Sequence, residues 1–470
     1  MVQDVRERME ADIRSATTAL LRPGSVAIIG ASEDPSLPGG KLLHNLISGR
    51  YPGPIYPVIE PGPGNREPPK QVLAHRAYHS ISELPEGLDL AVLVQPPNRA
   101  TATALELVKR GVRAFVVTTA GFAEAHQEGR EMQRRIVDSV TRGGARLLGP
   151  NTLGIYSVTS KLNLVTGVDP APAGIETGRK PRLALLSQAG ELDQVFIDTV
   201  LGHREALSLY VSLGNAADVS FEHLLRGAVG EPGIAAVAIV PAGEVDVPAL
   251  ASTIREVSAR VPVLVAPKVR GRAARRAANA HSGGATDAEE AMPSLVAAGA
   301  ISARDLEDLA DRTVAVVNQP MARGRRVAVM STSSGAAVAT ASHLTDLGMD
   351  VPTIPAEIQQ VLRSWLPDHA GASNPVTLTG KLPALNYRPV LSGVMGQPNI
   401  DGGIVLAVGA DPPALAKAVI DVAKRRGKPM VGVTVSAPRT EAALVDAGIP
   451  VYPTPARAAR AYQALVPLPL

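Results

Sequence analysis

The chain contains no cysteine. Disulfides, cysteine-ligated zinc, iron–sulfur clusters and thiolate nucleophiles are thereby excluded. Aromatics are scarce, at 3% of 470 residues with a single tryptophan. The stacking platforms that hold single-stranded nucleic acid are therefore missing. Charge of one sign is lacking as well: 47 Lys and Arg oppose 44 Asp and Glu, a net of +3. The isoelectric point of about 9.1 thus marks no dominant basic block, and no nucleic-acid partner is expected. No apolar run reaches the roughly 18 residues of a membrane span. The N-terminal stretch MVQDVRERMEADIRSATTAL is charged and has no apolar signal core. No HExxH string occurs among the histidines, so no metal site is expected. These absences point to a cytoplasmic protein with no membrane partner.

What is present is a series of short apolar runs that end in small or turn-forming residues. They include SVAIIGAS (25–32), LDLAVLVQPP (88–97), RAFVVTTAG (113–121), ARLLGPN (145–151), RLALLSQAG (182–190), LSLYVSLGN (207–215), IAAVAIVPAG (234–243), VPVLVAPK (261–268), RRVAVMSTSSG (325–335), GGIVLAVGAD (402–411) and PMVGVTVS (429–436). Continuous apolar runs fit parallel strands buried on both faces. Helical patterns such as ATALELVKRG and PALAKAVIDVAKRRG separate them, which is the alternation of an α/β fold. The expected organisation is an N-terminal helix over 1–20, a first block over 21–155, a linker over 156–179, a second block over 180–315 and a third over 323–470.

Open parallel sheets bind ligands beyond the C-terminal ends of their strands, where helix N-termini offer N–H groups and a positive dipole end. Gly30-Ala31-Ser32 is such a turn, with Gly39, Gly40 and Lys41 ahead of the helical stretch KLLHNLISG. A nucleotide-type ligand and a bare strand–helix turn are the two readings. Ser187-Gln188-Ala189-Gly190 and Ser331-Thr332-Ser333-Ser334-Gly335 are further turns of this kind. Each is readable as a phosphate site or as a plain helix cap. His281 stands apart from the other histidines because Ser-Gly-Gly follows it at once, in NAHSGGATDA. Residues alone leave it open between a loop histidine and a nucleophile.

Taken in order, the motifs resemble the α subunit of NDP-forming (ADP-forming) acyl-CoA synthetases, in the succinyl-CoA synthetase superfamily. The strings are LLRPGSVAIIGASEDP, DLAVLVQPP, TTAGFAE and LLGPNTLG, then LLSQAGELD, SLGNAADVSFEHLL and PKVRGRAARRAANAHSGG, then VAVMSTSSGAAVATASHLTDLG and SNPVTLTG. The resemblance implies a Rossmann-like CoA-binding domain followed by two flavodoxin-like, doubly wound domains of the succinyl-CoA ligase type. It implies an enzyme that joins a small carboxylic acid to coenzyme A through an acyl phosphate, with His281 as the phosphoryl carrier. It places Gly30, Ala31, Ser32, Lys41, Pro96 and Asn151 near CoA. It places Ser187, Gln188, Gly190, Ser331, Ser333 and Ser334 around phosphate or acyl phosphate. ATP or GTP, with Mg²⁺, would be handled by a separate ATP-grasp β subunit. Three positions depart from the family pattern. Ala189 replaces the second serine of SQSG, and Thr377 replaces the carboxylate of NPVD. Ala242 stands where the family orients its histidine with a glutamate, and Glu244, two residues on, is the substitute candidate. The rival readings are a CoA- or acyl-CoA-binding module without turnover and a nicotinamide-dependent oxidoreductase.

Overall fold

The computed structural model describes residues 17–59, 69–172, 180–243, 245–267 and 288–467, and residues 271, 273 and 276. Two compact units are present, the first holding two sheets and the second a third.

The first sheet is built from β1 (Val26–Ile29), α1 (Pro38–Ser48), β2 (Ile55–Val58), a small hairpin of β3 (Gln71–Val72) and β4 (His75–Arg76), β5 (Leu90–Leu93), α2 (Pro97–Lys109), β6 (Ala114–Val117), α3 (Gln127–Arg142) and β7 (Arg146–Leu148). Its strands run β2-β1-β5-β6-β7, all parallel. Every residue of β1, β5 and β6 is buried, because both faces are covered. Val26 and Ile28 pack with Leu42, Leu43 and Leu46 of α1. Ala27 and Ile29 pack on the other side with Ala100, Ala104 and Leu107 of α2. Burying each such leucine contributes about 1.5–3 kcal/mol. Helix α1 begins at Pro38, so Gly39 and Gly40 sit inside its first turn, not ahead of it. Proline suits that first position because it gives up an N–H that has no intrahelical partner.

The second sheet follows with β8 (Gly154–Ser157), β9 (Leu162–Val165), β10 (Leu183–Ser187), α4 (Asp193–Gly202), β11 (Leu207–Ser212), α5 (Phe221–Val229), β12 (Ala236–Val240), α6 (Val247–Ser258), β13 (Val263–Val265), α7 (Ala288–Ala297) and β14 (Ile301–Ser302). The order is β14-β13-β12-β10-β11-β8-β9. Here the structure differs from the expected linker over 156–179. Strands β8 and β9 form an antiparallel hairpin that pairs with β11. Ile155, Leu162 and Leu164 are fully buried in the same core as Leu42 and Leu46, and Asn45 Nδ2 of α1 donates to the Val165 carbonyl at 2.9 Å. The linker reading followed the Gly and Pro of TGVDPAPAGIETGRKP, whereas the strand LNLV lies just upstream of them.

The third sheet comprises α8 (Leu306–Asn318), β15 (Val327–Ser331), α9 (Ser334–Asp346), α10 (Ala356–Arg363), β16 (Val376–Thr377), α11 (Tyr387–Met395), β17 (Gly402–Val408), α12 (Pro413–Arg426), β18 (Met430–Val435), α13 (Pro438–Asp446), β19 (Val451–Tyr452) and α14 (Pro455–Gln463). Its order is β16-β15-β17-β18-β19, again parallel. Numbered within each block, the parallel strands of all three sheets follow the flavodoxin-like order 2-1-3-4-5.

Within the second unit a buried ionic cluster joins α8 to α14. Asp308 and Asp311 are 3% and 1% exposed. Arg457 grips Asp311 with Nε and Nη2, both at 2.7 Å. Arg312 and Arg460 reach Asp308 at 3.1 and 3.3 Å. The Tyr452 hydroxyl donates to the Asp311 carbonyl at 2.9 Å. Removing one member of such a pair leaves a buried charge without compensation. Asp311→Ala should therefore cost about 3–5 kcal/mol, read as a shift in the denaturant midpoint. A cost below about 1 kcal/mol, the range of surface pairs, would show that the cluster is solvated in practice.

Candidate functional site

In the first sheet the chain passes from β1 outward to β2 and then back across to β5, so the winding reverses between β1 and β5. A crevice at such a point is where open sheets take ligands. Gly30 ends β1 with φ +93°, and an added Cβ would lie 3.5 Å from the Val94 Cβ at the end of β5. A Cβ on Gly39 would fall 1.9 Å from the Gly30 carbonyl oxygen, and one on Gly40 would fall 1.9 Å from that of Asp34. The two glycines thus let α1 press its first turn onto the β1 turn. Neither α1 nor α2 has a side-chain N-cap or an acid in its first turn. At α1 no N-cap side chain takes a leading N–H, whereas at α2 Pro97 has no N–H and the Arg99 N–H donates to Asn98 Oδ1 at 2.9 Å. Ala31 is buried, Ser32 is half-buried, and Lys41 and Pro96 are exposed. The Ser32 Oγ accepts from the Asp34 N–H at 3.1 Å, which closes the turn on itself. Gly30, Ala31 and Ser32 thus form the turn after β1, Lys41 lies in the first turn of α1, and Pro96 precedes α2 after β5.

Asn151 lies at the end of β7, beyond β6 from that crevice. It has φ +57° and its side chain is exposed. Its N–H donates to the Thr119 carbonyl at 3.1 Å. The GPN turn meets the SLGN turn after β11. Asn215 N–H donates to Pro150 O at 2.9 Å and Ala217 N–H to Gly149 O at 3.0 Å. Gly214, with φ +55°, comes so close that a Cβ there would fall 2.2 Å from Pro150 O. The Asn215 side chain donates to Glu124 Oε2 at 2.5 Å and to Gln133 Oε1 at 2.9 Å. Glu124 Oε1 in turn accepts from the Gly121 and Phe122 N–H groups at 2.6 and 3.1 Å.

The SQAG turn ends β10. Ser187 and Asp193 are fully buried. The Ser187 hydroxyl donates to Asp193 Oδ1 at 2.5 Å and accepts from the Ala189 N–H at 2.9 Å. Tyr210 donates to the other Asp193 oxygen at 2.9 Å, and burial first, then the Asp193 charge, hold its phenol well above the ordinary tyrosine range. Ser187 therefore faces the core and shapes the turn, while Gly190, with φ +69°, opens the short helix that leads into α4. Gln188 Oε1 accepts from the Ala242 and Gly243 N–H groups, both at 3.0 Å. Its Nε2 donates to Gly214 O at 3.0 Å. One amide thus ties together the turns after β10, β11 and β12. Glu244 and His281 lie outside the described residues.

In the second unit, the Ser331 hydroxyl donates to Ser333 O at 2.8 Å, and Ser333 caps α9 through the Ala336 N–H at 3.4 Å. Ser334 is exposed at the helix start. Asn374 is committed to structure: it accepts from Val329 N–H and donates to the Val327 and Pro352 carbonyls. Asp411 caps α13 through the N–H and hydroxyl of Thr440 and the N–H of Arg439. Burial works to raise its pKa, but these bonds outweigh it and hold it at about 2. Among the described residues no group of three His, Asp or Glu side chains gathers as metal ligands would. Nor is any helix among them long and apolar enough to cross a membrane.

The comparisons with known proteins agree with this geometry. Residues 24–157 match the model of a CoA binding domain. Residues 180–316 match that of a succinyl-CoA ligase like flavodoxin domain. The α subunit of acetate–CoA ligase (ADP-forming) II from Pyrococcus furiosus is 29% identical, with 94% of this chain and 96% of that one covered. Trans-feruloyl-CoA synthase of an unknown prokaryotic organism is 30% identical over 96% of this chain and 64% of its own. The acetyl-coenzyme A synthetase 1 of Ca. Korarchaeum cryptofilum, solved with phosphate and ADP, superposes with a TM-score of 0.84 at 27% identity, over 96% of both chains. The chain belongs to the α-subunit family of ADP-forming acyl-CoA synthetases.

As part of such an acid–thiol ligase, this synthetase chain uses CoA and nucleotide chemistry. Several of its structural side chains escaped the sequence reading. Glu124, Asn215 and Asn374 lie in strings that carried the resemblance, yet nothing in their spacing tells that the carboxylate meets the amide. His75 and His79 are four residues apart, but β4 and a bend hold them rather than a helix.

A cleft of about 540 Å³ between α5 and α6 is lined by Ser220, His223, Arg226, Asp246 and Thr253 among others. His223 Nδ1 accepts from the Ser220 N–H at 3.2 Å, forming a capping box. Burial lowers the His223 pKa, with the charges of Arg146 and Arg226 adding to it and Glu222 opposing. The unfolded chain therefore takes up this proton first as pH falls through its value of 6.5. Stability from this group is full above that pH and lost below it. His223→Gln keeps an acceptor for the box without titrating. The stability of the parent chain relative to His223→Gln should therefore fall as the pH is lowered below 6.5. A difference in urea midpoints that stays flat on acidification below that pH would contradict the assignment.

Proposed function

We propose that the chain binds CoA in the β1/β5 crevice of a domain spanning about 21–155, and that the domain over 180–315 carries a phosphohistidine at His281. In the domain over 323–470, Ser331, Ser333 and Ser334 are assigned to phosphate or acyl phosphate. The observation that carries the CoA assignment is the uncapped N-terminus of α1, pressed onto the glycine-cleared turn at Gly30. Backbone N–H groups there, with Lys41 one turn along α1, suit the phosphates of CoA.

The reaction interconverts carboxylate, CoA and NTP with acyl-CoA, NDP and phosphate. His281 attacks the terminal phosphoryl group, its N–P bond forming as the bond to NDP breaks. The carboxylate then takes the phosphoryl group from the imidazole and becomes an acyl phosphate. The CoA thiol, losing its proton, attacks the acyl carbon, and phosphate leaves. Gly190 N–H and the helix that follows hold the phosphoryl charge, and Glu244 orients the imidazole. ATP or GTP and its Mg²⁺ belong to an ATP-grasp β subunit, and the enzyme works in the cytoplasm on a small carboxylic acid. Two named α subunits of Pyrococcus furiosus that match over 96% of their lengths support the subunit reading.

The test is incubation of the chain and a candidate β subunit with γ-labelled ATP, Mg²⁺, a carboxylic acid and CoA. Acid-labile, base-stable label on the parent chain and none on His281→Ala is expected, with thioester formation lost in step. CoA binding without label would favour the binding-module reading.

A further inference from the structure

We propose that Glu124 and Asn215 are positioning residues that hold the CoA crevice in register with the phosphoryl turn. Transfer of the acyl group to CoA then depends on them, while phosphorylation of His281 does not. This inference rests on the function proposed above.

The contacts form one line across the first unit. At one end is the SQAG turn, whose Gln188 Nε2 donates to Gly214 O at 3.0 Å. The next residue, Asn215, donates its side chain to Glu124 Oε2 at 2.5 Å. The other oxygen of Glu124 accepts from the Gly121 and Phe122 N–H groups. Gly121, with φ +104°, lies against the start of α2, where an added Cβ would be 3.1 Å from the Pro97 Cγ. Pro97 is the first residue of α2 and follows Pro96 at the crevice. The line therefore runs from the phosphoryl turn to the rim of the CoA crevice.

The chemistry of Glu124 fits a rigid joint. An ionised carboxylate only accepts, and here it meets three donors: two loop N–H groups and one amide NH₂. Hydrogen bonds to a charged acceptor are shorter and about twice as strong as neutral ones. Neither residue belongs to the crevice turn Gly30–Ser32 or to the SQAG turn, so each acts through the loops it fixes. Spatial intermediacy alone does not establish coupling, and the experiment must separate the two half-reactions.

The holoenzyme with Asn215→Ala or Glu124→Ala is assayed for label uptake from ATP and, separately, for discharge of that label when carboxylate and CoA are added. Uptake within about 2-fold of the parent is expected, with thioester formation slowed about 10–100-fold, the penalty of misplacing reacting groups by an ångström or so. Glu124→Gln keeps two acceptor sites and can reverse the Asn215 amide, so it should recover most of the rate. Asn215→Asp keeps the size but sets like charges face to face, and should not recover it. Thermal melts accompany each variant, and the Gln and Asp pair carries the test should either alanine variant fail to fold. Uptake and thioester formation falling in parallel, or neither changing, would overturn the proposal. A parent chain that takes no label overturns the functional reading itself, before any variant is compared.

Discussion

At Gly214 the backbone after β11 runs against the backbone after β7, with the Pro150 and Asn151 carbonyl oxygens 2.2 and 2.6 Å from where a Cβ would stand. Any side chain there would push the two turns apart. The approach brings the Asn215 and Ala217 N–H groups onto Pro150 and Gly149, satisfying backbone groups at the junction of two sheets that would otherwise lack partners. It also presents the Gly214 carbonyl to Gln188 and the Asn215 side chain to Glu124. The relation between the β1/β5 crevice and the SQAG turn is therefore set by short polar contacts, while the apolar core beneath them, shared by α1 and the β8–β9 hairpin, supplies the burial.

The three sheets wind identically, but the helix starts at their C-terminal ends are finished differently. In the first, α1 carries no side-chain cap, while Asn98 Oδ1 takes the Arg99 N–H in the first turn of α2. In the second, the Ser187 hydroxyl is turned inward to Asp193. In the third, Ser333 caps α9, and the Thr332 hydroxyl is held between the Val408 N–H and carbonyl. A shared winding places a helix dipole at each end, and the local side chains decide whether its N–H groups remain open.

Periodicity carried the fold well. Runs such as SVAII and AVAIV are apolar without alternation because helices cover both faces of their strands, and that signal is local. The hairpin at 154–165 was not legible, since its four-residue strands matter only through pairing with β11, some fifty residues on. The glycine turn at Gly30 was legible, but the start of α1 at Pro38 was not, because Gly39 and Gly40 have poor intrinsic helix propensity. Tertiary contact overrides that propensity: only glycine lets the helix approach the Gly30 and Asp34 carbonyls. The turn at Ser187 and Gln188 was readable as a phosphate site or a helix cap, and only the resemblance put both residues near phosphate. Their hydroxyl and amide engage Asp193, Ala242, Gly243 and Gly214, pairings that cross up to 55 residues and that no local pattern announces.

The departures at Ala189 and Ala242 fall on this same framework. Ala242 gives its backbone N–H to Gln188, and Ala189 gives its own to Ser187. Both side chains are buried, at 8% and 3% exposure, and neither contributes a side-chain hydrogen bond. An alanine at either position leaves every one of these contacts intact, because they are made by main chain and by Gln188 and Ser187. Against the pattern the resemblance implies, what differs is a hydroxyl beside Gly190 and a carboxylate beside Gly243. The chain has thus kept the frame that positions the turns while changing the chemistry they present. Under the proposed mechanism the orientation of a phosphorylated His281 falls to charges other than position 242, and Glu244, two residues on in the sequence, is the candidate.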